Sequence, residues 1–256
     1  MTGTGQESGN GGGGPLQTAV LYTQRGWSVL PVPFQSKNPG FTGWQRLRLK
    51  EQDLPQHFNG APQNIGVLMG EPSDWLLDVD LDHPRAVELA AKYLPPTPAL
   101  FGRAGKPESH WVYKSKGPVA TKKHQSKSAG MIVELRSTGA QTVFPPSTHE
   151  SGEPIRWSDG YSEPATVDPN ELLECVKRLA DAVLAELGEK PPRKLPKKTR
   201  PQPGAAKAES GVANPGGAER ASRCLAAMLR IQITDQRDGS HRLFCAACRA
   251  VEYDLD

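Results

Sequence analysis

Residues 75–82 read WLLDVDLD, an apolar run in which acids then recur at every second position: Asp78, Asp80 and Asp82. Successive side chains of a β-strand point to opposite faces, so residues two apart share a face. A strand here therefore lays Leu77, Val79 and Leu81 against a core and turns carboxylates the other way. Asp78 and Asp80 would stand side by side, about 6.5–7 Å apart along the strand. Like charges that close repel unless a cation lies between them. A carboxylate pair at the end of an apolar strand is one arrangement that holds Mg²⁺ or Mn²⁺, which take oxygen ligands. The alternative is a strand end turning into a solvated loop. Asp82, just before His83-Pro84-Arg85, reads as the N-cap of the following helix.

Other elements fall around this strand. LQTAVLYTQRG has helical spacing with Gly26 as its stop, and a strand is expected from Trp27 to Val32. Pro31, Pro33 and Pro39 place FQSKNPGFTGW in a loop. NIGVLMG reads as a short buried strand, and HPRAVELAAKYL as a helix opened by proline. HWVYK, MIVEL and QTVF are further strands. DPNELLECVKRLADAVLAELG is a helix with Asp168 as cap, Pro169 at its first position and Gly188 at its end. Helices and strands mixed without strict alternation indicate an α+β domain over residues 16–188.

The flanks differ in composition. Residues 1–15 are Gly-rich and are expected to be disordered. Residues 189–218 are rich in Pro and Lys and read as an extended linker, whose Arg193, Lys194, Lys197, Lys198 and Arg200 either add affinity for nucleic acid or form a solvated spacer. Helical periodicity returns over 219–256, a short helical segment that looks like the start of a C-terminal accessory domain. The formal charge of the 256-residue chain is only +3, so attraction to a polyanion has to come from local patches. There is no signal-peptide pattern and no apolar stretch of membrane-spanning length, and Cys175, Cys224, Cys245 and Cys248 do not form a disulfide framework; a cytoplasmic protein without membrane association is expected. Cys245 and Cys248 read as buried positions of a helix rather than as metal ligands, and no structural zinc is expected in residues 16–188. No GxxxxGK[ST] loop occurs in the chain.

Three more features bear on the acids. Glu134 interrupts the apolar strand MIVEL, a costly position unless the charge is paired or metal-bound. Arg136, two residues on, is on the same face; either it pairs with Glu134, or Glu134 is a third metal ligand and Arg136 is free for an anionic substrate. His110 starts the strand HWVYK close after Arg103 and Lys106, a gathering of cations that suits a polyphosphate.

In this order LLDVD, ESHWVY and IVEL resemble the three motifs of the N-terminal domain of bifunctional DNA primase/polymerases (prim-pol), of the archaeo-eukaryotic primase superfamily. The flanks YTQRGWSVLPV, SKNP with the following GW, NIGVLMG and ELRSTGAQTVFPPSTHESGEPIRW are similar as well, so the resemblance covers about residues 16–187. It departs at Glu108, where relatives have a small residue two before the histidine, and at Ser36, where glycine often precedes the lysine. The resemblance implies a primase-like core of mixed and antiparallel sheets with flanking helices. It implies that Asp78, Asp80 and Glu134 hold two Mg²⁺ or Mn²⁺ ions, that His110 contacts the nucleotide triphosphate, and that Arg136, Arg103, Lys106 and Lys37 bind phosphate. The activity implied is template-dependent nucleotidyl transfer, a DNA primase/polymerase making and extending primers in replication of a phage, plasmid or other mobile element. Its partners would be a single-stranded DNA template, a primer strand, NTPs or dNTPs, and a replicative helicase. The alternatives are a metal-dependent nuclease or other phosphoryl-transfer enzyme, and a non-catalytic nucleic-acid-binding module of a replication initiator.

Overall fold

The structure is a computed structural model and describes residues 14–189; the expected N-terminal disorder, the basic linker and the segment 219–256 with Cys224, Cys245 and Cys248 lie outside the described residues, apart from Gly14, Pro15 and Glu189. The described chain is α+β, as the sequence indicates. In order it forms α1 (Pro15–Gln24), β1 (Val29–Pro33), α2 (Leu54–His57), β2 (Gln63–Leu68), β3 (Leu76–Leu81), α3 (Pro84–Tyr93), β4 (Leu100–Arg103), β5 (Lys106–Ser115), β6 (Lys122–Ser126), β7 (Gly130–Arg136), β8 (Gln141–Phe144), β9 (Arg156–Trp157), β10 (Ala165–Val167) and α4 (Pro169–Glu186).

Two sheets carry these strands. The smaller has the order β1-β2-β8; the larger runs β6-β7-β3-β5-β4-β9, with β10 beside the far end of β5. Every pairing is antiparallel except β5 with β10. β1 starts two residues later than expected and includes both Pro31 and Pro33. Prolines are tolerated there because β1 is an edge strand, so a missing N–H can face away from β2. The strands that the pattern did not announce are β4, β6, β9 and β10. β6 is KKHQS, without a single apolar residue, and β9 spans two residues, so neither carries a hydrophobic period to read.

The helix ends follow local rules. Asp168 caps α4 by accepting from the backbone N–H groups of Asn170 (2.9 Å) and Glu171 (3.1 Å). Gly26 has φ +80°, the left-handed conformation that ends α1 at no steric cost. The cap of α3 is a correction: His83, not Asp82, is the N-cap, its Nδ1 accepting from the Arg85 backbone N–H at 3.2 Å. β3 ends at Leu81, but the backbone N–H groups of Asp82 and His83 still donate to the Ile132 carbonyl of β7 at 2.9 and 3.1 Å, so the helix starts one residue later than the sequence suggests.

There are two cores. Leu77, Val79 and Leu81 of β3 lie with Ile132, Val133 and Leu135 of β7 under α3 and α4, where Val176, Leu179 and Val183 complete the contact. The other core joins α1 and the small sheet to the opposite face of the large one, through Tyr22, Trp27, Leu30, Phe101, Val112 and Phe144. Leu76 belongs to this second core, on the same side of β3 as the acids. Toward Leu76 that face is sealed by the small sheet; toward Asp80 it opens. No helix among the described residues is long and apolar enough to cross a membrane.

Candidate active site

β3 is the central strand of the site, and its neighbours set the row of charges. Asp80 is opposite Glu134 of β7 on one side and opposite His110 of β5 on the other. The period of two that puts Asp78 and Asp80 on one face of β3 thus puts Glu134, Arg136 and His110 on it too. All three acids are buried, Asp78 completely, Asp80 to 6 % and Glu134 to 8 % exposure.

Buried carboxylates need partners, and each has them. Asp78 accepts from Thr142 Oγ1 of β8 at 2.7 Å, and both its oxygens lie 3.1 Å from His110 Nδ1. The His110 Nε2 is turned to Asp80 at 3.8 Å. The His110 ring is stacked on Phe101, centroids 4.5 Å apart and planes 11° from parallel, which fixes its tilt. Arg136 spans all three acids: Nε to Glu134 at 3.0 Å, Nη1 to Asp78 at 3.5 Å, and Nη2 to Asp80. Lys123 of β6 adds a second cation to Glu134 at 3.3 Å.

The charges set the protonation. Burial pushes the Asp80 carboxyl up, but His110 and Arg136 facing it outweigh that and hold it below the usual carboxylate range. His110 is the converse case: burial lowers its pKa, and Asp78 and Asp80 more than restore it, so the imidazole is held protonated above its ordinary range. Asp82 is pushed up, by burial first and then by repulsion from Asp80.

These residues border one cavity of about 460 Å³. Asp80 and Glu134, with their partners His110 and Arg136, form its floor and wall, and the expected phosphate contacts Arg103, Lys106 and Lys37 all reach it. Asp78 is brought to the cluster but not to the cavity surface: it lies beneath, under His110 and Thr142. The cations come with carboxylate partners of their own. Arg103 pairs with Glu153, which also accepts from the Gly105 backbone N–H at 2.5 Å; Lys106 Nζ lies 3.4 Å from Asp82; Lys37 Nζ lies 3.8 Å from Glu150. Arg136 is bound to Glu134 and both aspartates, the contact with Glu134 being the one that their spacing of two residues on one strand face allows.

Several cavity residues had no signal in the sequence or a misread one. Thr142, Lys123, Trp44 and His149 come from other strands or loops, and only the fold brings them in. Asp82 carries a signal, the same rhythm as Asp78 and Asp80, but its place directly before a helix start masks it. The departure at Glu108 also has a structural meaning. Its φ is +48°, in the left-handed region that costs an L-residue about 1–2 kcal/mol and suits a small residue or glycine. Opposite it, a Cβ on Gly102 would lie 2.8 Å from the Glu108 nitrogen, so β4 and β5 approach as closely as glycine allows.

The donor set suits a hard divalent cation, since Asp78, Asp80 and Glu134 offer carboxylate oxygen only. Among the described residues, no three His, Cys, Asp or Glu side chains form a ready-made metal cluster, and the cation that reaches all three acids is the Arg136 guanidinium. The residues fit a metal provided that Arg136 gives way. Compared with known proteins, residues 19–172 match the family described as bifunctional DNA primase/polymerase, N-terminal. No curated protein matches the chain.

Proposed function

Since the chain belongs to the N-terminal family of bifunctional DNA primase/polymerases, with the match taking in β1 to the start of α4, we propose that it is a template-dependent nucleotidyltransferase that makes and extends primers on single-stranded DNA. The observation that carries the reading is the row Glu134–Asp80–His110 across three neighbouring strands, opening on a cavity rimmed by Lys37, Arg103 and Lys106. Acids for metal and cations for phosphate then face one space.

Asp80 and Glu134, with Asp78 beneath them, would hold two Mg²⁺ or Mn²⁺ ions. Bound there, the ions supply Lewis acidity toward the phosphate oxygens and lower the pKa of the attacking 3′-hydroxyl. The chain's own residues do the rest. Asp78, fixed by Thr142, holds the His110 Nδ1 proton and so directs the Nε2 proton into the cavity. Protonated His110 donates to the phosphate on which charge develops. Arg136 transfers from the carboxylates to the triphosphate, and Lys106, Arg103 and Lys37 position it. No covalent intermediate with the protein is required. Template and primer strands, nucleotides and a replicative helicase are the partners in this reading, mobile-element replication its setting and the cytoplasm its compartment.

The test is incubation with single-stranded DNA, labelled nucleotides and Mn²⁺, with and without primer. Elongated or newly started strands support the proposal, and Asp78→Ala with Asp80→Ala should abolish them while DNA binding persists. DNA shortened by the same acids would make the protein a nuclease, and unchanged synthesis in the double variant would remove these residues from the mechanism.

A further inference from the structure

The loop between β1 and α2 carries an uncommon surface. From Pro31 to Lys50 there is no acidic residue, while Lys37, Arg46, Arg48 and Lys50 are all present and exposed. In the same segment Phe34 and Phe41 are 46 % and 41 % exposed. Among the described residues neither ring is paired with another aromatic side chain. Large apolar rings left in water beside unopposed cations are a combination that folding alone does not call for.

The loop is held in shape. Asn64 Nδ2 donates to the Ser36 carbonyl at 3.0 Å, and Gln141 Nε2 to the Lys37 carbonyl at 2.7 Å. The chain also closes on itself: a Cβ on Gly40 would lie 3.6 Å from Pro33 Cγ, and Phe34 and Phe41 are the residues that follow these two. Both rings thus start from the neck of one loop. Arg46, Arg48 and Lys50 face no opposing charge within ion-pair distance among the described residues, although Arg48 Nη1 donates to the Gln45 and Leu47 carbonyls at 2.9 and 2.8 Å. The acids that come next are turned to local donors, Glu51 to Gln24 Nε2 at 3.2 Å and Asp53 to the Lys50 backbone N–H at 2.9 Å. Lys37 has only Glu150, 3.8 Å away and itself largely exposed, a pairing of little worth. The segment leads into the active site, because Lys37 and Trp44 also line the cavity.

We infer that residues 34–50 are the platform on which a single DNA strand is led into the cavity, with unpaired bases stacked on Phe34 and Phe41 and the backbone held by Arg46, Arg48 and Lys50. Exposed aromatic faces recognise bases only when these are unpaired, and cations without carboxylates recognise phosphate; together they select single strands over duplex. The inference rests on the reading of the cavity as a site of DNA synthesis and names the surface that reading lacks.

The test is fluorescence anisotropy of the full chain with a labelled oligothymidylate over a range of salt. Phe34→Ala with Phe41→Ala should weaken binding by roughly tenfold or more with the salt dependence kept, and Leu at both positions should do nearly the same, since stacking rather than apolar bulk is lost. Arg46→Gln, Arg48→Gln and Lys50→Gln together should make the slope of log affinity against log salt shallower by about 2, at about 0.7 per phosphate contact on a single strand. Circular dichroism of each variant shows that these exposed substitutions leave the fold intact. If the wild-type chain binds single strands and neither set weakens it, the platform is wrong while the synthesis reading stands. If both sets weaken binding but the wild-type chain makes no DNA, the platform stands and the synthesis reading falls. Equal binding of duplex, or a shared preference for anionic phospholipid vesicles over DNA, overturns the inference.

Discussion

Replacing Arg136 by glutamine should make the stability of this protein depend on divalent metal. The guanidinium is only 22 % exposed and faces three buried carboxylates, with Glu134 at 3.0 Å and Asp78 at 3.5 Å. Removing one partner of a buried ion pair costs about 3–5 kcal/mol, because the remaining charge is left without compensation. Lys123 and His110 stay behind as partial counter-charges, so the low end applies, about 3 kcal/mol. For a domain of this size that lowers Tm by roughly 6–12 °C. Thermal unfolding followed by circular dichroism in EDTA measures it. Added Mn²⁺ should then raise the Tm of Arg136→Gln more than that of the wild type, since the ion no longer has to displace a guanidinium and binding stabilises the folded state by mass action. The pH dependence has a definite sign. Asp80, held low in the folded protein, contributes stability above its unfolded pKa near 4 and loses it as pH falls; Arg136→Gln shrinks that contribution, so the two proteins should converge on acidification. An Arg136→Gln protein as stable as the wild type in EDTA, or indifferent to Mn²⁺, would mean that Arg136 neither compensates these acids nor stands in the place of a metal.

Thr142→Val removes the hydroxyl that donates to buried Asp78 at 2.7 Å, and urea unfolding should show a loss of about 1.5–3 kcal/mol, the worth of a hydrogen bond to a charged group. Glu108→Gly relieves a left-handed residue at φ +48° and should stabilise by about 0.5–1 kcal/mol after the greater freedom of glycine in the unfolded chain is offset, again by urea unfolding. Glu189 is held at about 2 by the Lys127 backbone N–H and the Ser126 and Ser128 hydroxyls, so its hold on that turn is complete above the ordinary carboxylate pKa and lost as pH falls toward 2; Glu189→Gln should speed amide exchange at Lys127 and Ser128 near neutral pH, and the gap should close on acidification.

The acids on β3 were legible because a strand has a period of two, and Leu77, Val79 and Leu81 could only be inside if Asp78 and Asp80 were on the other face. The α4 boundaries were legible for a similar reason: Asp168, Pro169 and Gly188 each fit one position of a helix end. Asp82 shows where local rules compete. The rhythm puts it with the acids and the helix start offers it as a cap; His83 takes the cap, and the Asp82 carboxylate lies 3.4 Å from Lys106 instead. The Arg136–Glu134 pair was visible as neighbours two apart, but the contact to Asp80 depends on the register of β3 with β7, which no local pattern specifies. Thr142 lies on the other sheet, 64 residues from Asp78 in sequence, and carries no mark that distinguishes it from any threonine in a strand.

If the proposed function holds, nucleotides are joined at Asp78, Asp80 and Glu134 under the direction of a template. The most direct measurement offers the chain a homopolymeric single-stranded template, Mn²⁺ and each labelled nucleotide in turn. A product should form only with the complementary nucleotide, and none should form when Asp80→Asn and Glu134→Gln are introduced together. Incorporation that ignores the template, or that survives in the double variant, would contradict the proposed function.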